Sequence, residues 1–240
     1  WGLTDVGCVR KQNQDAFHIE KLDRHSLLAV VCDGMGGAKS GNVASSLAVD
    51  VFVQEVTRNW TSQTDWDKCD MILRSAVKLA NFTVYDQACQ FEEFSGMGTT
   101  LVAAVIRKNQ ASIINVGDSR CYAITNGSIR QVTKDHSVVQ MMVDRGDLTP
   151  ETAKTFPGKN LITRAVGTEP TILSDIYRQD LEKGSFLFLC SDGLSNMLDD
   201  QEILFEVVHG VKKQNCCKRL LDIAKMRGSP DNVTSILVSV

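Results

Sequence analysis

The chain has no apolar stretch long enough to cross a membrane, and its N-terminal residues show no signal-peptide pattern. It also has no excess of positive charge, because 26 Lys and Arg residues are set against 29 Asp and Glu residues. The net charge of -3 gives no reason to expect a nucleic acid as a partner. The chain starts at Trp1 without a Met, so we expect at least one residue to precede it.

Cysteine pairs with the spacing of metal sites are absent as well. The chain has eight cysteines, but none of them forms a Cys-x-x-Cys motif. Most of them lie in apolar segments, where a free cysteine behaves as a small buried hydrophobic residue. We therefore predict reduced core thiols in a cytosolic protein, rather than disulfides or a zinc site.

Internal repeats, low-complexity segments and linkers are missing too, so we predict a single domain over residues 1–240. Hairpin-linked strands, paired helices and further strands follow one another, an order that favours antiparallel sheets with helices packed outside. The pair Asn126-Gly127 is a strong hairpin signal between two of these strands. Strands are predicted at 1–7, 16–22, 27–31, 101–106, 111–116, 121–125, 129–132, 172–178, 186–190 and 233–240. Helices are predicted from Ser40 or Asn42 to Thr57, after a cap at Asp65, and at 137–145, 149–155, 200–209 and 215–226.

One stretch combines a buried-strand pattern with a carboxylate and several glycines. The apolar run from Leu27 to Val31 is followed closely by Asp33 and by Gly34-Met35-Gly36-Gly37. An apolar run bounded by glycines predicts a buried strand that opens into a turn. Asp33 would then lie at the end of a rigid strand, beside backbone that is free to approach a ligand closely.

Three further carboxylates occupy similar positions at the ends of apolar strands. Asp192 follows the apolar segment 186–191, Asp118 follows 112–117, and Asp231 shortly precedes the last strand. Because the start of one antiparallel strand lies beside the end of its neighbour, we expect Asp231 at the same sheet edge as Asp192 and Asp33. A single aspartate after a strand is usually a turn former, but two Asp-Gly pairs after similar apolar strands, together with Asp118 and Asp231, predict a cluster.

Clustered carboxylates cannot all stay ionised without compensating positive charge, and divalent cations supply it. All the candidate ligands are oxygen atoms, and no His or Cys occupies a matching position. An all-oxygen ligand set favours Mg²⁺ or Mn²⁺ over Zn²⁺. The sequence therefore predicts a divalent-cation site at the ends of these strands.

Nine short motifs follow one another along nearly the whole chain: Thr4-Asp5-Val6-Gly7 with Arg10, Asn13-Gln14-Asp15, Asp33-Gly34-Met35-Gly36-Gly37, Gly96-Met97-Gly98-Thr99-Thr100, Gly117-Asp118-Ser119-Arg120, Asp135-His136-Ser137, Thr163-Arg164-Ala165-Val166-Gly167, Ser191-Asp192-Gly193-Leu194 and Asp231-Asn232-Val233-Thr234. Together they resemble the motifs of the metal-dependent Ser/Thr protein phosphatases of type 2C, bacterial branch. The resemblance implies an α+β fold, a four-layer αββα sandwich in which two stacked antiparallel β-sheets are flanked by helix pairs.

The resemblance also implies a centre with two divalent cations, Mn²⁺ or Mg²⁺. Asp33 would bridge both ions, and the carbonyl of Gly34 would bind the second. Asp192 and Asp231 would complete the first. Asp118, together with Asp192, matches a third and weaker metal site in the family.

The same resemblance implies the remaining site residues and the reaction. Asp15 would hold metal-bound water without binding a metal itself, and Arg10 would bind the substrate phosphate. A hydroxide that bridges the two metals would attack phosphorus directly, so phosphoserine and phosphothreonine in proteins would be hydrolysed without a phosphoenzyme. Residues 137–160 match a flap subdomain beside the active site, and loops of this kind often gate or select substrates.

These expectations describe a cytoplasmic, monomeric hydrolase of bacterial signalling. Its partners would be phosphoproteins, including targets of a bacterial Ser/Thr kinase, and neither a nucleic acid nor a membrane. The alternative of the same fold is a catalytically weak regulator that binds phosphoproteins. The usual mark of such a regulator is a missing metal ligand, and all the expected Asp residues are present here.

The chain departs from the family pattern at several positions. Met35 stands where many eukaryotic members have a His, and Ala38 stands where many bacterial members have one. Phe156-Pro157 stands where His-Pro is common, so the contacts of the flap with substrate stay open. The identity of the general acid also stays open. The candidates are metal-bound water and His136, and for His136 we favour a structural role.

Two unrelated enzyme classes are disfavoured. The segment 33–40 looks like a phosphate-binding P-loop, but Asp33 and Ala38 occupy positions where that motif requires glycine. A carboxylate at the first of these positions would also repel phosphate. A cysteine-based tyrosine phosphatase needs an Arg six residues after its Cys, and none of the eight cysteines has one.

Overall fold

The computed structural model describes residues 1–36, 40–153, 155–210 and 212–240. Gly37, Ala38 and Lys39 of the glycine stretch lie outside the described residues. Helices α1 to α7 are Gly41–Asn59, Trp66–Gln90, Val138–Arg145, Pro150–Ala153, Asp192–Ser195, Asp200–His209 and Cys216–Met226. Strands β1 to β11 are Gly2–Asp5, Asp15–Lys21, Ser26–Met35, Gly98–Thr99, Leu101–Arg107, Gln110–Val116, Arg120–Thr125, Ser128–Gln131, Asp175–Asp180, Phe186–Cys190 and Val233–Ser239.

The strands form two sheets in which every pairing is antiparallel. The first sheet has the strand order β1-β11-β10-β7-β8. The second has the order β2-β3-β5-β6-β9, with the short β4 paired to β3. The α+β class and the antiparallel pairing expected from the sequence are confirmed.

Three apolar cores show how the layers stack. Helices α1 and α2 pack side chains such as Phe52 onto one face of the second sheet. Helices α5, α6 and α7 cover one face of the first sheet, with side chains such as Leu220. The third core lies between the sheets and takes side chains from both, including Val31 and Leu189. The order helices, sheet, sheet, helices confirms the αββα sandwich.

Local sequence signals account for several boundaries of these elements. Asn126 and Gly127 join β7 to β8, and both have the positive φ values that a tight hairpin turn of this kind requires. Asp65 caps α2 as predicted, because its side chain accepts a hydrogen bond from the N–H of Lys68 at 2.8 Å. These ends are set by local chemistry, which explains why the sequence predicts them well.

Strand β3 is longer than the apolar run predicts, and this difference matters for the site. The strand continues to Met35 because β4 pairs with Gly34 and Met35. Residues 28, 30 and 32 face α1 and α2, whereas residues 29 and 31 face the other sheet. Side chains alternate along a strand, so Asp33 belongs to the face between the sheets. Asp33 is therefore held within a strand and not in a turn.

Strand β9 is also displaced from its predicted position at 172–178. It pairs with β6 from Asn115 opposite Asp175 to Gln110 opposite Asp180. The partner strand sets this register, and the composition of the segment alone does not show it.

The cysteines and the helices bear on two further expectations. All eight cysteines are free, and six of them are buried, which agrees with the prediction of core thiols. Within the described ranges, no helix is both long and apolar enough to cross a membrane.

Candidate metal centre

The predicted carboxylates converge at one end of the space between the two sheets. Asp15 begins β2 and lies opposite Asp33 of β3 in the second sheet. Asp192 lies two residues after the end of β10 and Asp231 two residues before the start of β11, so both are carried by the first sheet. The prediction of one shared sheet edge was wrong for Asp33, because its strand pairs in the other sheet. The charges of Asp15, Asp192, Asp118 and Asp231 all act on Asp33, so the cluster is assembled across the sandwich.

Two threonines fix the backbone that carries Asp33. The N–H of Asp33 donates to Thr100 Oγ1 at 2.9 Å, and Thr99 Oγ1 donates to the Asp33 carbonyl at 2.9 Å. The next residue, Gly34, packs closely on Gly41, where a Cβ at position 34 would lie 2.0 Å from the Gly41 carbonyl oxygen. Only glycine fits there. The role of the Gly34 carbonyl as a ligand stays a prediction.

Asp15 is a buried carboxylate with one oxygen held and one left over. Ser191 Oγ and Thr234 Oγ1 donate to its Oδ2 at 2.8 Å and 2.6 Å. Its Oδ1 is buried and has no hydrogen-bond partner within the described residues. Burial raises the pKa of Asp15 to about 7, and the charges of Asp192 and Asp231 add to this against the two hydroxyl bonds. An orphaned buried oxygen of this kind calls for a water or a cation.

Asp192 is positioned by a short helix that the sequence analysis did not predict. Helix α5 starts at Asp192, and Gly193 lies so close to Asn232 that a Cβ there would be 1.9 Å from the Asn232 carbonyl oxygen. Asn196 Nδ2 donates to Asp192 Oδ2 at 3.0 Å, and the Asp33 carboxyl group is within hydrogen-bonding reach. Burial is the main cause that raises the pKa of Asp192.

Asp118 lies between β6 of the second sheet and β7 of the first. Burial raises its pKa to about 8, and the charge of Asp192 is the next cause. The two residues expected to share a third metal site are therefore electrostatic neighbours. The sharing itself stays a prediction.

Several observations fit a divalent-cation centre in this cluster. The pKa values of Asp15, Asp33, Asp118 and Asp192 are all raised, with burial as the first cause in each case. Negative charges on neighbouring carboxylates add to the rise, and bound cations would relieve this repulsion. The donors are all oxygen atoms, which suits Mg²⁺ and Mn²⁺.

The carboxylates are not arranged as a finished cage. In the described part of the chain, no group of three or more His, Cys, Asp or Glu side chains could hold a metal ion as it stands. Asp231 accepts from Arg10 and from the N–H of Asn232, and Asp192 accepts from Asn196. A carboxylate oxygen has two lone pairs, so each of these hydrogen bonds leaves acceptor capacity on Asp231 and Asp192 for a cation.

Arg10 reaches the cluster from the turn between β1 and β2. Its Nη2 donates to Asp231 Oδ2 at 2.9 Å, while 49% of its side chain stays exposed. The charges of Asp33 and Asp192 also act on this guanidinium. It therefore lies on the solvent side of the cluster, where an incoming anion can meet it.

Asn232 is a site residue to which the sequence analysis gave no role. It is 3% exposed, and its Nδ2 donates to the carbonyls of Val6 and Gln12 at 2.9 Å and 3.1 Å. Its Oδ1 accepts from the N–H of Gln14 at 2.8 Å. Asn232 thus joins the start of β11, next to Asp231, to the turn that carries Arg10. The only feature of the sequence that could have indicated this role is its place beside Asp231 in the motif 231–234.

We expect Asn232→Ala to destabilise the chain by about 2–4 kcal/mol, because it removes three hydrogen bonds that this buried side chain forms with the backbone. Urea unfolding monitored by circular dichroism measures this loss. Asn215→Ala at an exposed position is the control and should change stability by less than about 1 kcal/mol. Equal stabilities of the Asn232 variant and the wild type would show that these bonds do not hold the turn.

A cleft of about 650 Å³ opens from the cluster along the flap segment, which we define as residues 137–160. Asp118 and Asp192 are among the residues that line the cleft. Residues of α3, α4, α5 and α6 also line it. The cleft is large enough for several residues of an extended peptide. The function of the flap segment stays a prediction.

His136 is buried at the base of this flap segment, and both of its ring nitrogens have partners. Nδ1 accepts from the N–H of Gly117 at 3.0 Å, and Nε2 lies 3.0 Å from Asp175 Oδ2. Only 6% of the side chain is exposed. A ring that is held on both sides is poorly placed to give a proton to a leaving group, so the geometry favours a structural role.

Comparison with known proteins identifies relatives of the whole chain. The family described as Protein phosphatase 2C matches residues 9–221. The serine/threonine phosphatase stp of Listeria welshimeri is 35% identical over 237 residues, which cover 98% of this chain and 93% of that protein.

Solved structures give the same result in three dimensions. The serine/threonine phosphatase Stp1 from Staphylococcus aureus superimposes with a TM-score of 0.91 at 36% identity, covering 100% of this chain and 94% of that one. The catalytic domain of the serine/threonine protein phosphatase PstP, in complex with two manganese ions, superimposes with a TM-score of 0.85 at 31% identity. That comparison covers 99% of this chain and 95% of the other.

Proposed function

The chain belongs to the protein phosphatase 2C family and is a serine/threonine protein phosphatase, and we propose that it works with two divalent cations, Mn²⁺ or Mg²⁺. The observation that carries this proposal is that three carboxylates from two sheets lie together. Asp33 is partly buried on one sheet, and the charges of Asp192 and Asp231 from the other sheet act on it. The relative that contains two manganese ions supports the choice of metal.

The proposed ligands are Asp33 for both cations, the Gly34 carbonyl for the second, and Asp192 and Asp231 for the first. Asp118 and Asp192 are proposed for a third, weaker site. When bound, such cations would lower the pKa of water and would offset the negative charge that develops on the phosphoryl group. The chain's own contribution is to hold these oxygens on two rigid sheets, so little reorganisation is needed during the reaction.

Asp15 is proposed to orient water at this centre. Ser191 and Thr234 hold its Oδ2 from the side of the first sheet. This leaves Oδ1 as a buried acceptor with a fixed direction. A water that donates to this oxygen would be held in one orientation. Such a fixed orientation lowers the entropic cost of its attack on phosphorus.

Arg10 is proposed to bind the substrate phosphate. Its fork of N–H groups can form two parallel charge-assisted hydrogen bonds with phosphate oxygens. Asp231 already holds one of its nitrogens, so the guanidinium is oriented before the substrate arrives. Its exposed side leaves room for a phosphorylated side chain.

We expect Arg10→Ala to lower kcat/KM for p-nitrophenyl phosphate by about 10–100-fold, mainly through a higher KM, because a charge-assisted contact with phosphate is lost. The kcat/KM of Arg10→Lys should lie between those of the wild type and Arg10→Ala, since an ammonium group keeps the charge but cannot reproduce the paired bonds. Lys11→Ala, at the next exposed position, is the matched control. A KM and an inhibition constant for inorganic phosphate that stay at wild-type values in Arg10→Ala would contradict this role.

The test of the proposed function is an assay of phosphopeptides after EDTA treatment, with Mn²⁺ and Mg²⁺ titrated back. Phosphoserine and phosphothreonine peptides should be hydrolysed only with added metal. Asp192→Asn and Asp231→Asn should lose this activity, and undiminished turnover in either would contradict the dinuclear assignment. Binding of phosphopeptides without turnover would favour the catalytically weak regulator instead.

The wider setting is part of the same proposal. We propose one catalytic unit over residues 1–240, with the flap segment 137–160 beside its cleft. Its substrates would be phosphoproteins, including targets of a bacterial Ser/Thr kinase, and the enzyme would act as a monomer in the cytoplasm. The six buried free cysteines suit a reducing compartment.

A further inference from the structure

The imidazole of His136 holds the peptide that leads directly into Asp118. The ring Nδ1 accepts the N–H of Gly117 at 3.0 Å, and the backbone N–H of His136 donates to the Gly117 carbonyl at 3.0 Å. Both backbone polar groups of Gly117 are therefore bonded to one residue. Gly117 has φ +104, a value that side chains disfavour, so these bonds hold an otherwise uncommon backbone conformation.

The hydrogen-bond partners fix the tautomer of His136. The Gly117 N–H can only donate, so Nδ1 must be unprotonated and the ring proton lies on Nε2. That proton then points to Asp175 Oδ2 at 3.0 Å. Arg164 Nη1 lies 3.1 Å from the other oxygen of Asp175 and 3.2 Å from Nε2, so two donors share one carboxylate. Burial lowers the pKa of His136 and thus favours this neutral form.

The same peptide also packs against the support of Asp33. A Cβ at Gly117 would lie 2.6 Å from the side chain of Thr100, which shows how closely the two approach. Thr100 Oγ1 accepts the N–H of Asp33 and bonds with Ser119 Oγ at 2.7 Å. Gly117 therefore lies between His136 on one side and the Asp33 backbone on the other.

The main chain of His136 is tied to the end of the flap segment as well. Its carbonyl accepts the N–H of Thr163 at 2.8 Å, and the N–H of Val138 donates to the carbonyl of Leu161 at 2.9 Å. Ser137, the next residue, caps α3. The main chain around His136 is thus fixed by the segment 161–163 and by the start of α3, and a residue fixed in this way can transmit its position to its partner.

We propose that His136 is a positioning residue that sets the direction of the Asp118 carboxylate through its Nδ1 bond to Gly117. The assignment rests on the proposed role of Asp118 at the third cation site. His136 contacts neither substrate nor cation in this account and acts only through the peptide before Asp118. Groups that orient a metal ligand typically change metal affinity by about 10–100-fold when they are removed.

Two substitutions separate the two nitrogens of the ring. In His136→Asn, the side-chain oxygen takes the place of Nδ1 and can still accept from Gly117. In His136→Gln, the amide reaches the place of Nε2 and can still meet Asp175, but nothing accepts from Gly117. The weakest Mn²⁺ site is measured by calorimetry on EDTA-stripped protein. We expect it to weaken by at least about tenfold in His136→Gln and by less than about threefold in His136→Asn.

Asp118→Asn supplies the second half of the test. Because His136 acts through Asp118, the double variant His136→Gln, Asp118→Asn should bind Mn²⁺ no more weakly than Asp118→Asn alone. Equal losses in the Asn and Gln variants, or losses that add in the double variant, would overturn the proposal. A wild-type isotherm without the component that Asp118→Asn removes would also overturn it.

Melting temperatures of the metal-free variants show whether they fold. If His136→Gln fails to fold, Asp175→Asn is measured in its place. The Asp175 variant keeps the bond between Gly117 and His136 and only weakens the orientation of the imidazole ring. A shift of the weakest Mn²⁺ site by about twofold to fivefold is expected there, and no shift overturns the proposal. The isotherms need no turnover, so a chain that hydrolyses no phosphopeptide would refute the proposed function while the role of His136 is still decided.

Discussion

Replacing Asp33 with Asn is expected to remove phosphatase activity while making the metal-free protein more stable. The proposed bridging ligand loses its charge, so kcat/KM should fall by at least about 10³-fold, which corresponds to about 4 kcal/mol of transition-state stabilisation. The same change removes one charge from a site where burial and four other carboxylates raise the pKa of Asp33. We expect the free energy of unfolding in EDTA to rise by about 1–3 kcal/mol.

The opposite signs of these two effects make the experiment specific. A substitution that merely damages the fold lowers both activity and stability, whereas a charge held at a functional site is costly to the metal-free fold. Asp50→Asn, at an exposed position on α1, is the matched control and should change neither quantity. A metal-free Asp33→Asn protein that is less stable than the wild type would contradict the electrostatic account of the cluster.

The second large effect concerns pH. In the unfolded chain an aspartate has a pKa near 3.8, but in the folded protein the pKa is about 7 for Asp15 and about 8 for Asp118. An acid with a raised pKa holds its proton more tightly when folded, so its contribution to stability is full below the unfolded pKa and is lost as pH rises through the folded value. We expect the melting temperature in EDTA to fall by at least about 5 °C between about pH 5 and about pH 8, an effect of at least about 2 kcal/mol.

Saturating Mn²⁺ should flatten this decline, because bound cations compensate the ionised carboxylates. Paired carboxylates elsewhere act in the other direction. Arg227, for example, holds the pKa of Glu202 at about 2, and the stability from that pair is lost only when pH falls. Differential scanning fluorimetry with and without Mn²⁺ across this range separates the two contributions. Identical pH profiles in EDTA and in Mn²⁺ would contradict a cation site in the cluster.

The parts of the fold that are set by local chemistry could be predicted from the sequence. The apolar runs that form β5, β6 and β10, the hairpin at Asn126-Gly127 and the cap at Asp65 all depend on neighbouring residues. Antiparallel sheets with helices outside were expected from the order of the elements, whereas the four-layer stacking came from the resemblance. The short helix α5 was not predicted, since it depends on the close contact of Gly193 with Asn232, which is distant in the sequence.

The composition of the site was easier to predict than its arrangement. Four of the acidic residues were found because each follows or precedes an apolar strand, whereas Asp15 came from the family resemblance. Their distribution over two sheets was not visible, because β3 gains an extra partner in β4 and pairs away from β10 and β11.

The residues that hold these carboxylates were also missed. Ser191 and Thr234 support Asp15, Thr100 supports Asp33, and Asn232 joins two loops. Small polar residues of this kind have no distinctive spacing. Their roles appear only when the hydrogen bonds across the sandwich are known.

The central claim is that phosphatase activity requires cations held by this carboxylate cluster. The most direct measurement follows the number of bound Mn²⁺ ions and the rate of phosphothreonine-peptide hydrolysis in one titration of the EDTA-stripped chain. The account predicts no turnover without metal and a rate that rises as the second cation binds, with both responses lost in Asp192→Asn. Turnover at the full rate in the metal-free chain, or full Mn²⁺ binding in Asp192→Asn, would contradict it.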